Sequence, residues 1–77
     1  MPSAYVLINV EAGADKKVLE SIRKIPEIKA SNMVYGIYDI VATIQSESLE
    51  KLREMVTKKI RQLDEVRSTV TMIVIED

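Results

Sequence analysis

Two stretches of helical periodicity are each enclosed by runs of β-branched residues. No other feature constrains what the chain can fold into as strongly. Ala4 to Val10 is a nearly continuous apolar run, too short for a buried helix, and reads as a first strand ending at the turn Glu11-Ala12-Gly13. From Asp15 the period lengthens. Val18, Leu19, Ile22 and Ile25 make one helical face, and Lys16, Lys17, Glu20, Arg23 and Lys24 lie largely on the other. Pro26 clashes with a continuing turn and places the end of this helix at about Ile25. Lys29 to Tyr35 and Tyr38 to Gln45 flank Gly36 and read as a hairpin, the glycine supplying a backbone angle that other residues resist. Ser46 is the expected N-cap of a second helix, with Glu47 and Glu50 suited to the positive end of its dipole. Leu49, Leu52, Val56, Ile60 and Leu63 recur along that helix, and Val66 to Ile75 reads as the last strand.

The order β-α-β-β-α-β, closed by right-handed crossovers, predicts an α+β fold: a ferredoxin-like sandwich with a four-stranded antiparallel sheet and both helices on one face. Residues 1–77 read as a single domain, with no linker or low-complexity stretch in the sequence. Such a sheet should be polar on its helix-free side. Here Val6, Ile8 and Val10 alternate with Tyr5 and Leu7, Ile40, Ala42 and Ile44 with Val41 and Thr43, and Val70, Met72 and Val74 with Thr69, Thr71, Ile73 and Ile75. Both faces are apolar, and only one can lie under helices. A chain of 77 residues, of which 47% are hydrophobic and 19 are Ile or Val, has no cysteine for disulfides and no histidine for imidazole ligation. Burial of the second sheet face against another copy is the remaining route to stability, so the sheet is expected to be a dimer surface.

Charge and composition exclude several functions. Eleven basic residues against twelve acidic ones leave a net charge of −1, without the basic footprint of a nucleic-acid binder. No apolar run approaches the roughly 20 residues of a membrane span. The N-terminus has no basic region or cleavage signal and is read as mature and cytoplasmic. High Glu, Lys, Ile and Val with few Asn and Gln suits a thermophile. Without His or Cys the commonest general base and the best nucleophile are missing, so no catalysis is expected. No phosphate loop and no metal-ligand spacing occur, and no cofactor or metal is expected.

Two groups of residues remain as candidate ligand contacts. In Tyr35-Gly36-Ile37-Tyr38-Asp39, turn amides can receive a carboxylate and Asp39 can accept from an ammonium group. Equally, Asp39 can bond its own turn amides and both tyrosines can serve packing. Thr69 and Thr71 share one strand face and project two hydroxyls together, although β-propensity alone also accounts for them.

Taken together, the opening Ala-Tyr-Val-Leu-Ile-Asn-Val-Glu-Ala-Gly, the helix end Ile-Pro-Glu-Ile, the turn Gly-Ile-Tyr-Asp-Ile-Val and the closing Val-Arg-Ser-Thr-Val-Thr-Met-Ile-Val-Ile resemble the effector-binding (RAM, regulation of amino-acid metabolism) domain of the Lrp/AsnC family. Tyr35 stands where that family often has Thr or another small polar residue. The resemblance implies sheet-to-sheet dimers that assemble into octamers or decamers. It implies an amino acid or related effector between dimers, contacted by Tyr35, Gly36, Ile37, Tyr38 and Asp39 and next by Thr69 and Thr71. Family members usually carry a helix-turn-helix domain before this module. This chain begins at its first strand, so the expectation is a stand-alone module without direct DNA binding that acts alone or joins full-length Lrp/AsnC regulators. An ACT-like regulatory domain and a ligand-free assembly subunit are the competing readings, and an enzyme of the dimeric α/β-barrel type is a distant fourth.

Overall fold

The computed structural model describes residues 1–75. Strand β1 (Ser3–Val10) is followed by helix α1 (Asp15–Ile22), strands β2 (Ile28–Met33) and β3 (Ile40–Gln45), helix α2 (Leu49–Met55) with a π-helical turn over Val56–Ile60, and strand β4 (Val66–Ile73). The strands form one four-stranded sheet in the order β2-β3-β1-β4, with every neighbouring pair antiparallel. The predicted ferredoxin-like sandwich is therefore the observed fold.

The core follows from strand alternation. Ala4, Val6, Ile8 and Val10 of β1 and Ile40, Ala42 and Ile44 of β3 are buried on one face. They form one cluster with Val18, Leu19 and Ile22 of α1 and with Leu52, Met55, Val56 and Ile60 of the second helical segment. Burying each large aliphatic side chain is worth about 1.5–3 kcal/mol, which is what orders these short elements. Register places Tyr5 opposite Thr43 and Met72, and Leu7 opposite Val41 and Val70, all on the other face. Tyr5, Val70 and Met72 remain 45%, 41% and 46% exposed. The second apolar sheet face read from the sequence is present and uncovered in the single chain.

Element ends differ from the sequence reading for local reasons. Helix α1 stops at Ile22 rather than Ile25, because Lys24 and Ile25 donate their amides to Ser21 and Ile22, tightening the chain into three-residue turns before Pro26. The second helix is capped by Ser48, not Ser46. The Ser48 hydroxyl accepts the Lys51 amide at 3.1 Å, whereas Ser46 is buried and its amide donates to the Pro2 carbonyl at 3.0 Å. Leu52, Val56 and Ile60 lie four residues apart, a spacing that drifts about 40° per step around an ideal helix. The π-helical turn, with the Arg61 amide donating to the Val56 carbonyl at 2.9 Å, takes up that drift and keeps Ile60 in the core. The β2–β3 connection spans residues 34–39, wider than the tight hairpin expected around Gly36. Both glycines have positive φ, 81° at Gly13 and 159° at Gly36, so the backbone angle expected of Gly36 is one that other residues resist, and Gly13 lies deeper in the left-handed region. Strand β4 ends at Ile73, two residues before the predicted end.

Candidate functional site

The connection of residues 34–39 leaves the sheet beside the C-terminal end of β1, and its last residue is its anchor. The Asp39 amide donates to the Ile8 carbonyl at 3.0 Å and its Oδ2 accepts the Val10 amide at 2.9 Å, while the Val34 amide donates to the Asp39 carbonyl at 2.9 Å. Asp39 thus continues the β1–β3 ladder one step beyond its last backbone pair, Ile8 with Ile40. Its carboxylate bonds a neighbouring strand rather than its own turn amides. No donor among the described residues reaches Oδ1.

The expected ligand contacts do not converge. Tyr35 and Ile37 are almost wholly exposed at the tip of the connection, with Gly36 between them, and Tyr38 is half-buried. Thr69 pairs with Ile8 and Thr71 with Val6, which puts both hydroxyl-bearing residues on the helix-side face of edge strand β4. Asp39 and Thr69 therefore flank Ile8 from opposite sides, roughly 10 Å or two strand spacings apart. Thr71 lies a further pair along the strand and is exposed.

A shallow recess of about 500 Å³ adjoins Asp39 and is lined also by Asn9, Val10, Ala12, Arg67 and Ser68. A smaller one of about 260 Å³ is shared by Arg61, Val66, Arg67, Ser68 and Thr69. Arg67 and Ser68 border both, so they link Asp39 to Thr69. The pairing of β1 with β4 slips between Asn9 and Val10: Asn9 faces Ser68 and Val10 faces Val66, leaving Arg67 as the extra residue of a β-bulge. The Asn9 amide group donates to the Ser68 hydroxyl at 3.4 Å across the bulge. Sequence reasoning missed Asn9, Arg67 and Ser68. In Val-Arg-Ser-Thr-Val-Thr the strand alternation looks unbroken, and only pairing with β1 reveals the bulge.

A roomier groove of about 560 Å³ at the far end of the sheet is bordered by Glu27, Glu47, Lys51, Glu54, Lys58 and Lys59. Its charges neutralise one another: Lys51 pairs with Glu47 at 2.9 Å, Lys58 with Glu54 at 3.6 Å and Lys59 with Glu27 at 3.2 Å. Among the described residues no group of His, Cys, Asp and Glu is arranged to hold a metal ion. No helix among them is long and apolar enough to cross a membrane.

Residues 3–77 match the model of the Lrp/AsnC ligand binding domain. An HTH-type transcriptional regulator of Pyrococcus furiosus is 32% identical over 74 residues, covering 92% of this chain and 49% of that protein. The chain spans about half the length of the curated relatives it matches, between 44% and 49% for the first of them. Among solved structures, FFRP-DM1 superposes with a TM-score of 0.94 at 36% identity, covering 97% of this chain and 100% of that one. A transcriptional regulator of Neisseria meningitidis, solved as an L-Met complex, superposes with a TM-score of 0.87 over 99% of this chain and 51% of that one. Its 15% identity shows the fold alone. The matched module binds ligands within regulators and is not an enzyme. The turn and strand motifs, the fold they build and the match over nearly the whole chain agree: this protein belongs to the Lrp/AsnC ligand-binding domain family.

Proposed function

We propose that this chain is an oligomeric, amino-acid-sensing module in transcriptional regulation of metabolism, acting in the cytoplasm. Its dimers pack sheet to sheet through Tyr5, Leu7, Val41, Val70 and Met72, and assemble further into octamers or decamers. Effector binds where dimers meet, at the connection carrying Tyr35, Gly36, Ile37, Tyr38 and Asp39, with Thr69 and Thr71 behind it. The module signals by altering assembly, or by joining full-length Lrp/AsnC regulators. An effector acts in this way only by binding one assembly state better than another.

One observation carries the reading. Tyr35 and Ile37 hold large apolar side chains fully in solvent beside a firmly anchored Asp39. Apolar tips on an anchored connection suit contact with another subunit, and a pocket made there combines apolar walls with a few fixed polar groups, as small-molecule sites do. The methionine complex of the Neisseria relative supports an amino acid as effector.

The test is light scattering on a sizing column combined with thermal-shift screening against the twenty amino acids at millimolar concentration. The expected result is an assembly larger than a dimer, stabilised by one or a few amino acids. A monomer at micromolar concentration, or no stabilisation by any amino acid, would refute the proposal.

A further inference from the structure

The two edges of the sheet are not alike. On β2 the Val34 amide donates to the Asp39 carbonyl, so alternation turns the backbone groups of Ser31 away from β3. The Arg23 guanidinium covers them, donating to the Ser31 carbonyl at 3.2 Å and to its hydroxyl at 3.3 Å. A register shift between Ile28 and Ala30 interrupts the same edge. A covering group and a bulge both close an edge to further pairing. Strand β4 has neither from Ser68 to Ile73. The Val74 amide donates to the Ser3 carbonyl, so Met72, Val70 and Ser68 also turn their backbone groups toward β1. Thr69, Thr71 and Ile73 turn theirs outward, and among the described residues no side chain or loop bonds to them.

The free edge is also self-complementary. A two-fold axis at Val70 lays the strand antiparallel on a second copy of itself, with residues of the same sheet face opposite one another. Thr69 then meets Thr71 of the second copy, and Thr71 meets its Thr69. Both are residues whose backbone groups point outward, so each pair exchanges both of its N–H···O bonds. Val70 faces Val70 of the second copy in the close, non-bonded position between them. The one charged residue of the strand, Arg67, falls opposite Ile73. The two arginines sit roughly 20 Å apart at opposite ends of the seam, beyond a Debye length at physiological salt.

We propose that β4 is a docking edge for β4 of a second copy, joined antiparallel about Val70 into one sheet running through both. The contact is separate from the sheet-to-sheet packing proposed above, which covers the open face. A second two-fold contact of this kind carries a dimer on to larger assemblies. Backbone makes the seam, and the threonine hydroxyls stay on the helix-side face.

The chain has no cysteine, so disulfide trapping reads the register directly. Thr69→Cys and Thr71→Cys chains, one of them tagged, are mixed under mild oxidation. Residues directly opposite lie about 5.5 Å apart between Cα atoms, within disulfide reach, whereas each position lies about 7–8 Å from its own copy, beyond it. The expected result is the mixed disulfide in roughly tenfold or greater excess over either homodimer. Both positions lie on the helix-side face, so sheet-to-sheet dimers alone give no such product. Thr71→Pro removes an outward amide and leaves the bonds to β1, so circular dichroism should persist while the assembly seen by light scattering shrinks. Should the proline variant unfold, the disulfide pattern decides. Absence of the mixed disulfide, homodimers in equal yield, or an assembly of unchanged size in folded Thr71→Pro would overturn the edge contact and leave the sheet-to-sheet reading standing.

Discussion

The carboxylate of Asp39 accepts the amide of Val10 at 2.9 Å, so a side chain from the β2–β3 connection completes the hydrogen bonding of the central strand. The bond ties the most exposed apolar segment of the molecule to the end of its most buried strand. It also sets where the candidate site begins.

Removing that acceptor has a defined cost. Asp39→Ala leaves a buried backbone amide without a partner, and the expected loss is about 1–3 kcal/mol in urea unfolding, with an unchanged dependence on denaturant. Asp39→Asn keeps an acceptor oxygen and should recover half or more of the loss. Equal effects of the two substitutions would show that the charge, rather than the bond to Val10, stabilises this corner.

The two serines before α2 make a sharp comparison. Ser48→Ala is expected to destabilise by about 0.5–2 kcal/mol, because the Lys51 amide loses its cap. Ser46→Ala should stay within about 0.5 kcal/mol, since its backbone bond to Pro2 survives the change. The reverse order in thermal or chemical unfolding would restore Ser46 as the cap.

Glycine is needed at one turn more than at the other. Gly13→Ala forces a side chain into the left-handed region and should cost about 1–2 kcal/mol, although space for the methyl group is open. Gly36→Ala should cost less than this, and the difference is readable in midpoints of chemical unfolding.

The open sheet face should decide assembly. Val70→Glu and Met72→Glu place charges on a surface proposed to be buried between copies, and roughly tenfold or greater weakening of dimerisation is expected by sedimentation. Neither residue belongs to the helix-side core, so the far-ultraviolet circular dichroism should be preserved. Dimers of unchanged stability would move the interface elsewhere.

Acid and alkali should act through the exposed ion pairs. The Glu65 carboxyl is lowered by its hydrogen bond from Lys17, then by a backbone bond of its own residue. Glu47 is lowered by Lys51, and Glu27 first by its own backbone and then by Lys59. Folded-state values below the unfolded value of about 4.3 mean that this stabilisation is complete above that pH and fades as acid titrates the carboxylates. The amines of Lys17 and Lys51 are raised by the same bonds, so their share is complete below about pH 10.4 and is lost at higher pH. Carboxyl titration followed by nuclear magnetic resonance checks the signs: Lys17→Met should raise the Glu65 value and leave Glu47 unmoved.

Much of this molecule was legible in the order of its residues. Val18, Leu19 and Ile22 mark a helix because they recur at the helical period, and Val6, Ile8 and Val10 mark a strand face because they alternate. These are local statistics of burial, and they carry through to fold class and to the unpartnered sheet face. Positions that depend on competition between neighbours were less legible. Ser46 and Ser48 are equivalent as caps in sequence, and the choice fell to Ser48 because Ser46 is drawn into a bond with Pro2, more than forty residues away in the chain. The π-helical turn was latent in the four-residue spacing of Leu52, Val56 and Ile60, whose drift has to be absorbed once all three are buried.

By itself, then, the sequence determined the β-α-β-β-α-β order, the buried face of each element and the family motifs, because periodicity and turn chemistry act over a few residues. Tertiary structure alone decided that Arg67 is the odd residue of a bulge, that it shares a recess with Asp39, and that Thr69 lies on the other side of Ile8 from that carboxylate. Register between β1 and β4 sets all three, and register is a property of two strands paired across the fold, which no stretch of either strand contains.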